Sequence, residues 1–97
     1  GLKKGEEEKA RMDLSAMDID QLLIIIIEIL AAKAWQYMGI RLIPGKEELE
    51  KDMAKAALAI DCAAFMVGRL TPRLPEAEAR RLKAIVTDLQ INYVRNA

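Results

Sequence analysis

Leu22–Leu30 reads LLIIIIEIL and continues as Ala31-Ala32-Lys33-Ala34-Trp35-Gln36-Tyr37-Met38 before Gly39. Four consecutive isoleucines favour a strand on propensity alone. Length decides the other way, because the run extends unbroken into Ala-, Lys- and Gln-containing sequence that forms helix readily and strand poorly. A helix from about Asp18 to Met38 is expected. Ser15 or Asp18 serves as N-cap, and Asp18 with Gln21 three residues on resembles a capping box. Gly39 supplies the stop, since glycine enters the left-handed conformation freely. A membrane-spanning helix needs about 20 predominantly apolar residues. This run is shorter and holds Glu28 and Lys33, so the expectation is a buried or interfacial helix and no transmembrane span.

On a wheel of 100° per residue the apolar side chains of this helix cover about 220° of its circumference. Ile25 and Ile29 widen that arc towards a polar stripe of Gln21, Glu28 and Gln36. A helix in a small bundle needs an apolar stripe somewhat over 100° wide. Two further helices leave the excess uncovered, and large exposed aliphatic patches are uncommon on soluble monomers. Leu22, Ile25, Ile26, Ile29, Ala32 and Trp35 are therefore the candidates for an oligomer interface.

Two more helices follow. The second is expected to begin between Lys46 and Asp52, near residue 47, after the Pro44-Gly45 turn, and to end near Leu70. The acidic residues Glu47, Glu48, Glu50 and Asp52 suit the positive end of its dipole. Leu49, Met53, Ala56, Ala57, Ile60, Ala64 and Val67 trace one face, and Ala54, Leu58, Cys62 and Phe65 a second apolar face beside it. Pro75 fits the first position of a third helix running to residue 96, with Glu76 and Glu78 in its first turn. Leu82, Ile85, Val86, Leu89 and Tyr93 form its apolar stripe. The predicted fold is all-α, a three-helix antiparallel bundle or hairpin-like assembly completed by a second subunit.

Ninety-seven residues make one domain, here assigned to 18–97 behind a mobile charged tail at 1–17. The tail carries Glu6-Glu7-Glu8 between lysines and no apolar core, so it is no signal peptide, and a cytoplasmic location is expected. The chain starts at Gly rather than Met, as a cleaved tag or trimmed start would leave it. The hydrophobic share is 53% but the aromatic share only 4%, so there is little surface on which bases or sugars could stack. Fifteen Lys+Arg balance fifteen Asp+Glu. A zero net charge argues against nucleic acid as a partner, whose affinity rests on excess positive charge. It also removes the repulsion that keeps copies apart.

The chemistry available is narrow. Without His there is no His-based triad, HExxH zinc site or neutral-pH proton shuttle. One Cys allows no internal disulfide and no CxxC or Cys-rich metal site, so no metal or cofactor is expected. Cys62, among aliphatic neighbours, reads as a shielded, inert core residue. Gly39…Gly45-Lys46 superficially resembles a phosphate loop, but its spacing is one residue too long and Glu47 stands where Ser or Thr would hold magnesium. Asp61 sits in the apolar run from Ala56 to Val67; a carboxylate there lies at a helix edge or finds a partner, and it is the candidate polar anchor. Arg69, Arg73, Arg80, Arg81 and Lys83 form a basic cluster, read as a solvated surface partly matched by Glu76 and Glu78, with docking of an acidic partner as the alternative.

Leu22–Gly39 with Ala34-Trp35 and Met38-Gly39, then Glu50-Lys51-Asp52-Met53, Ala56…Ala59-Ile60-Asp61, and Thr87-Asp88-Leu89…Asn92-Tyr93-Val94-Arg95 resemble a small bacterial family. It is catalogued as domain-of-unknown-function family 1844. The resemblance runs from about Asp18 to Ala97. The connection after Gly39 is shorter than the family's Pro- and Gly-containing loop, and Pro72 stands where a Gly often ends the second helix. The resemblance implies an all-helical protein and supplies no activity, cofactor or catalytic residue.

The functional expectation is a non-enzymatic, self-associating helical module, a dimer first, for assembly or for binding an unidentified protein. The alternative is a small ligand-binding or enzymatic protein whose pocket forms between subunits. That alternative needs several convergent polar groups, and the apolar faces offer mainly Asp61 and Tyr93. Peripheral membrane contact through the first helix is a third reading.

Overall fold

The computed structural model describes residues 13–97. Three long helices, α1 (Ile19–Tyr37), α2 (Met53–Leu70) and α3 (Glu76–Asn96), account for most of it, with a 3-10 turn at Thr71–Arg73 between α2 and α3. The described residues contain no strand; one isolated bridge joins Met38 to Lys51. The fold is all-helical, as expected. Residues 13–15 are helical and exposed; the tail up to residue 12 lies outside the described residues.

The isoleucine run is helical throughout. Asp18 occupies the N-cap position in an extended conformation, but its side chain makes no capping hydrogen bond. The capping box is thus not formed. Asp20, in the first turn, instead accepts from the Arg73 guanidinium at 2.8 Å and ties the start of α1 to the 3-10 turn. The other end closes as read from the sequence. Gly39 has φ +79°. The Gly39 amide donates to the Gln36 carbonyl and the Ile40 amide to the Trp35 carbonyl, the paired bonds of a Schellman motif.

α2 starts later than its acidic residues suggested. Pro44-Gly45 makes the turn, with the Lys46 amide donating to Ile43 O. The chain then returns across the end of α1, where the Asp52 amide donates to Tyr37 O at 2.8 Å. Asp52 is extended and its carboxylate accepts from the Lys55 amide at 3.1 Å, so it is the N-cap. A side-chain cap defines the start better than a dipole preference does. Glu47, Glu48 and Glu50 stay in the connection, and Leu49, expected on the apolar face, is exposed. At the third helix Pro75 is the N-cap rather than the first helical residue, and its carbonyl accepts from the Ala79 amide.

α2 is the central element, packing along both α1 and α3, while α1 and α3 meet over a shorter stretch. Near the α1–α2 connection the core contains Ala31, Ala34, Met38, Ala56, Ala59, Ile60 and Leu89. Near the α2–α3 turn it contains Ile27, Val67, Leu70, Leu82 and Val86. The first cluster is mostly alanine, and small side chains let helix axes approach closely. On α3 Leu82, Val86 and Leu89 are buried as the stripe predicted. Gln36 departs from expectation. Rather than joining an exposed polar stripe it is buried at 8% exposure, and its Oε1 has no hydrogen-bond partner.

Candidate functional site

The second apolar face read on α2 is present, and it faces outward. Ala54, Leu58, Cys62 and Phe65 are all exposed, Leu58 at 65% and Phe65 at 67%. Residues 58, 62 and 65 succeed one another at steps of four and three, so one side of the helix presents them as a stripe. Cys62 was expected to be shielded, but in the single chain its thiol is on the surface. The reason is the width of the apolar arc: Ala56, Ala59, Ile60, Ala63 and Val67 fill the core-facing side, and among the described residues no element covers the remainder.

α1 adjoins this stripe. Leu30, Lys33 and Tyr37 border a groove of about 420 Å³ with Lys55, Leu58, Ala59 and Cys62. The Lys33 and Lys55 ammonium groups lie over the Tyr37 ring, 5.6 and 5.5 Å from its centroid. That cation–π arrangement draws both charges to one end and leaves the rest of the groove apolar.

The six interface candidates divide around α1. Ile29 is exposed at 57%, and Leu22, Ile25, Ile26 and Ala32 are partly buried. Helical spacing puts Leu22, Ile26 and Ile29 on the side of α1 that carries Lys33, next to the α2 stripe. Ile25 and Ala32 turn the other way. Trp35 packs against the alanine-rich cluster and so contributes to the chain's own core. Exposed apolar side chains thus stand on α1, at Ile29, and on α2, at Leu58 and Phe65. The signal on α2 was the pair of adjacent stripes on that helix.

Asp61 is exposed at the helix edge. With Ala57, Ile60, Gln90, Tyr93 and Val94 it lines a shallow groove of about 190 Å³ between α2 and α3, so Asp61 and Tyr93 are brought together. The Gly45–Glu50 connection lines an open hollow of about 530 Å³ whose side chains include three glutamates and one lysine. An acidic hollow of this kind repels phosphate, which disposes of the loop resemblance noted at Gly39–Lys46. Among the described residues no group of three or more His, Cys, Asp or Glu side chains is placed to hold a metal ion.

The basic cluster is partly matched. Arg81 reaches Glu78 at 2.6 Å and Glu28 at 3.8 Å, and Arg73 pairs with Asp20. The Arg81 hydrogen bond holds the Glu78 carboxyl below its ordinary range, and Glu78 in turn raises the Arg81 guanidinium. Asp20 does the same for Arg73. No helix among the described residues is long and apolar enough to cross a membrane.

Neither the curated proteins nor the solved structures contain a match to the chain. A family match does exist: the domain of unknown function designated DUF1844 covers residues 20–95. The span takes in α2, both connections and all but the end residues Ile19 of α1 and Asn96 of α3, and it agrees with the resemblance carried by the tryptophan-containing first helix and the Thr87–Arg95 segment. The chain therefore belongs to the DUF1844 family.

Proposed function

We propose that this protein is a non-enzymatic, self-associating helical module that serves protein–protein interaction or assembly, with a cytoplasmic setting. The observation that carries the reading is the exposure of Ile29, Leu58 and Phe65 on neighbouring parts of α1 and α2. Contiguous exposed apolar side chains of this size mark interaction surfaces. Zero net charge leaves little repulsion between copies. Closed two-fold pairing is the commonest solution for one self-complementary patch. Balanced charge and the scarcity of aromatic side chains weigh against a nucleic-acid partner.

The second reading, a ligand pocket, rests on Asp61, Gln90 and Tyr93 lining one groove. Its small size and exposure favour the interaction reading over it. Light scattering coupled to size exclusion tests the proposal. A species near twice 10.9 kDa at micromolar concentration supports it, and a monodisperse 10.9 kDa species overturns self-association.

A further inference from the structure

Resting on that reading, we infer that the partner surface is the joint α1–α2 face, occupied by a second copy whose α2 runs antiparallel to the first, with the two-fold axis passing at the level of Cys62. Leu58 and Phe65, the two large exposed apolar side chains of α2, stand seven residues apart on one stripe with Cys62 between them. An axis across the helix at that level sets each Leu58 against the partner's Phe65, so that one patch satisfies both copies. α1 fits the same level. Lys33 borders the groove that Leu58 and Cys62 line, and the exposed Ile29, four residues before it on the same side of α1, flanks that groove.

Area and charge both point to a second copy. Ile29, Leu58 and Phe65 expose roughly 400 Å² between them, taking full side-chain areas of the usual size. That is about half of the ~800 Å² each partner contributes to a standard interface, before the partly exposed Leu22, Ile26 and Leu30 are added. The α1 side of the face is apolar, because Lys33 and Lys55 are drawn over Tyr37 at one end. An acidic partner would be met by cations projecting from the centre; an apolar face with its charges folded to one end suits its own copy. Asp61, exposed at the same level and within one turn of both Leu58 and Phe65, borders the contact on its α3 side.

The test uses the native cysteine. At micromolar concentration, a short bis-maleimide cross-linker or mild oxidation should convert most of the chain to a covalent dimer, and Cys62→Ser should abolish that product. Leu58→Asp and Phe65→Asp should each weaken association more than a hundredfold. Both sites are exposed in the single chain, so its circular dichroism should be unchanged. Ile91→Asp, on exposed α3 surface outside both grooves, should leave association as it is. A dimer by light scattering whose Cys62 neither cross-links nor resists thiol labelling would overturn the placement of the axis while leaving self-association standing. A monomer would overturn both, and would give the face to another protein.

Discussion

Ala56→Leu should destabilise the fold by about 1–3 kcal/mol, the usual cost of forcing a larger side chain into a packed core. Ala56 has no exposure and belongs to the cluster with Ala31, Ala34 and Ala59. Two effects compete. Three added carbon groups would gain about 2.4 kcal/mol if they were simply buried, at about 0.8 kcal/mol each. Ala56 is fully buried among its cluster neighbours, so the larger side chain forces α1 and α2 apart. A separation of even 0.5–1 Å forfeits a quarter to a half of each dispersion contact along the seam. Every neighbour in the cluster shares that loss, and it outweighs the gain. Ala54→Leu, the same change on the exposed side of α2, should fall within about 0.5 kcal/mol of the parent. Urea unfolding followed by far-ultraviolet circular dichroism, at one fixed protein concentration because association couples to stability, measures both. Ala56→Leu should lower the midpoint without changing the slope. A variant as stable as the parent would show that the helices are not in close approach and would refute the seam.

Gly39 and Gly68 should respond with opposite signs. Gly39→Ala places a side chain at φ +79° against Lys51 and should cost about 1 kcal/mol, whereas Gly68→Ala, inside α2 with open space around it, should gain about 0.5–1 kcal/mol; thermal unfolding compares them. Gln36→Met removes a buried acceptor without a partner and should stabilise by about 1 kcal/mol, and a loss of stability would mean that Oε1 is satisfied. Glu78 has its carboxyl pKa lowered by Arg81, so its contribution is present above the unfolded carboxylate range and is lost as pH falls through the folded value. Glu78→Gln should therefore flatten the acid limb of the stability–pH curve, and an unaltered limb would show that the pair is broken in solution.

Much of this fold is legible in sequence because the signals are local. Gly39, Pro72 and Pro75 end or begin helices through backbone geometry that each residue imposes on its own neighbours. The start of α2 was harder to read, since four acids compete for one helix end. The winner, Asp52, is chosen by the Met38–Lys51 bridge and the hydrogen bond to Tyr37, contacts between segments that periodicity does not record. The candidate site divides the same way. Apolar stripes on α1 and α2 can be read from spacing, but which stripe the third helix covers depends on where α3 lies. Cys62 looked buried for that reason, while the burial of Gln36 in the last turn of α1 left no mark in the spacing.

The central position of α2 sets an order of opening. Its amides are protected by helices on two sides, so they should exchange with solvent last, and exchange there should report global unfolding. α1 and α3 each lean mainly on α2. α3 lines no part of the α1–α2 groove, yet its Leu82, Val86 and Leu89 fill both clusters beneath that groove. Fraying should therefore start at the outer ends of α1 and α3, and loss of either whole helix should carry the others with it.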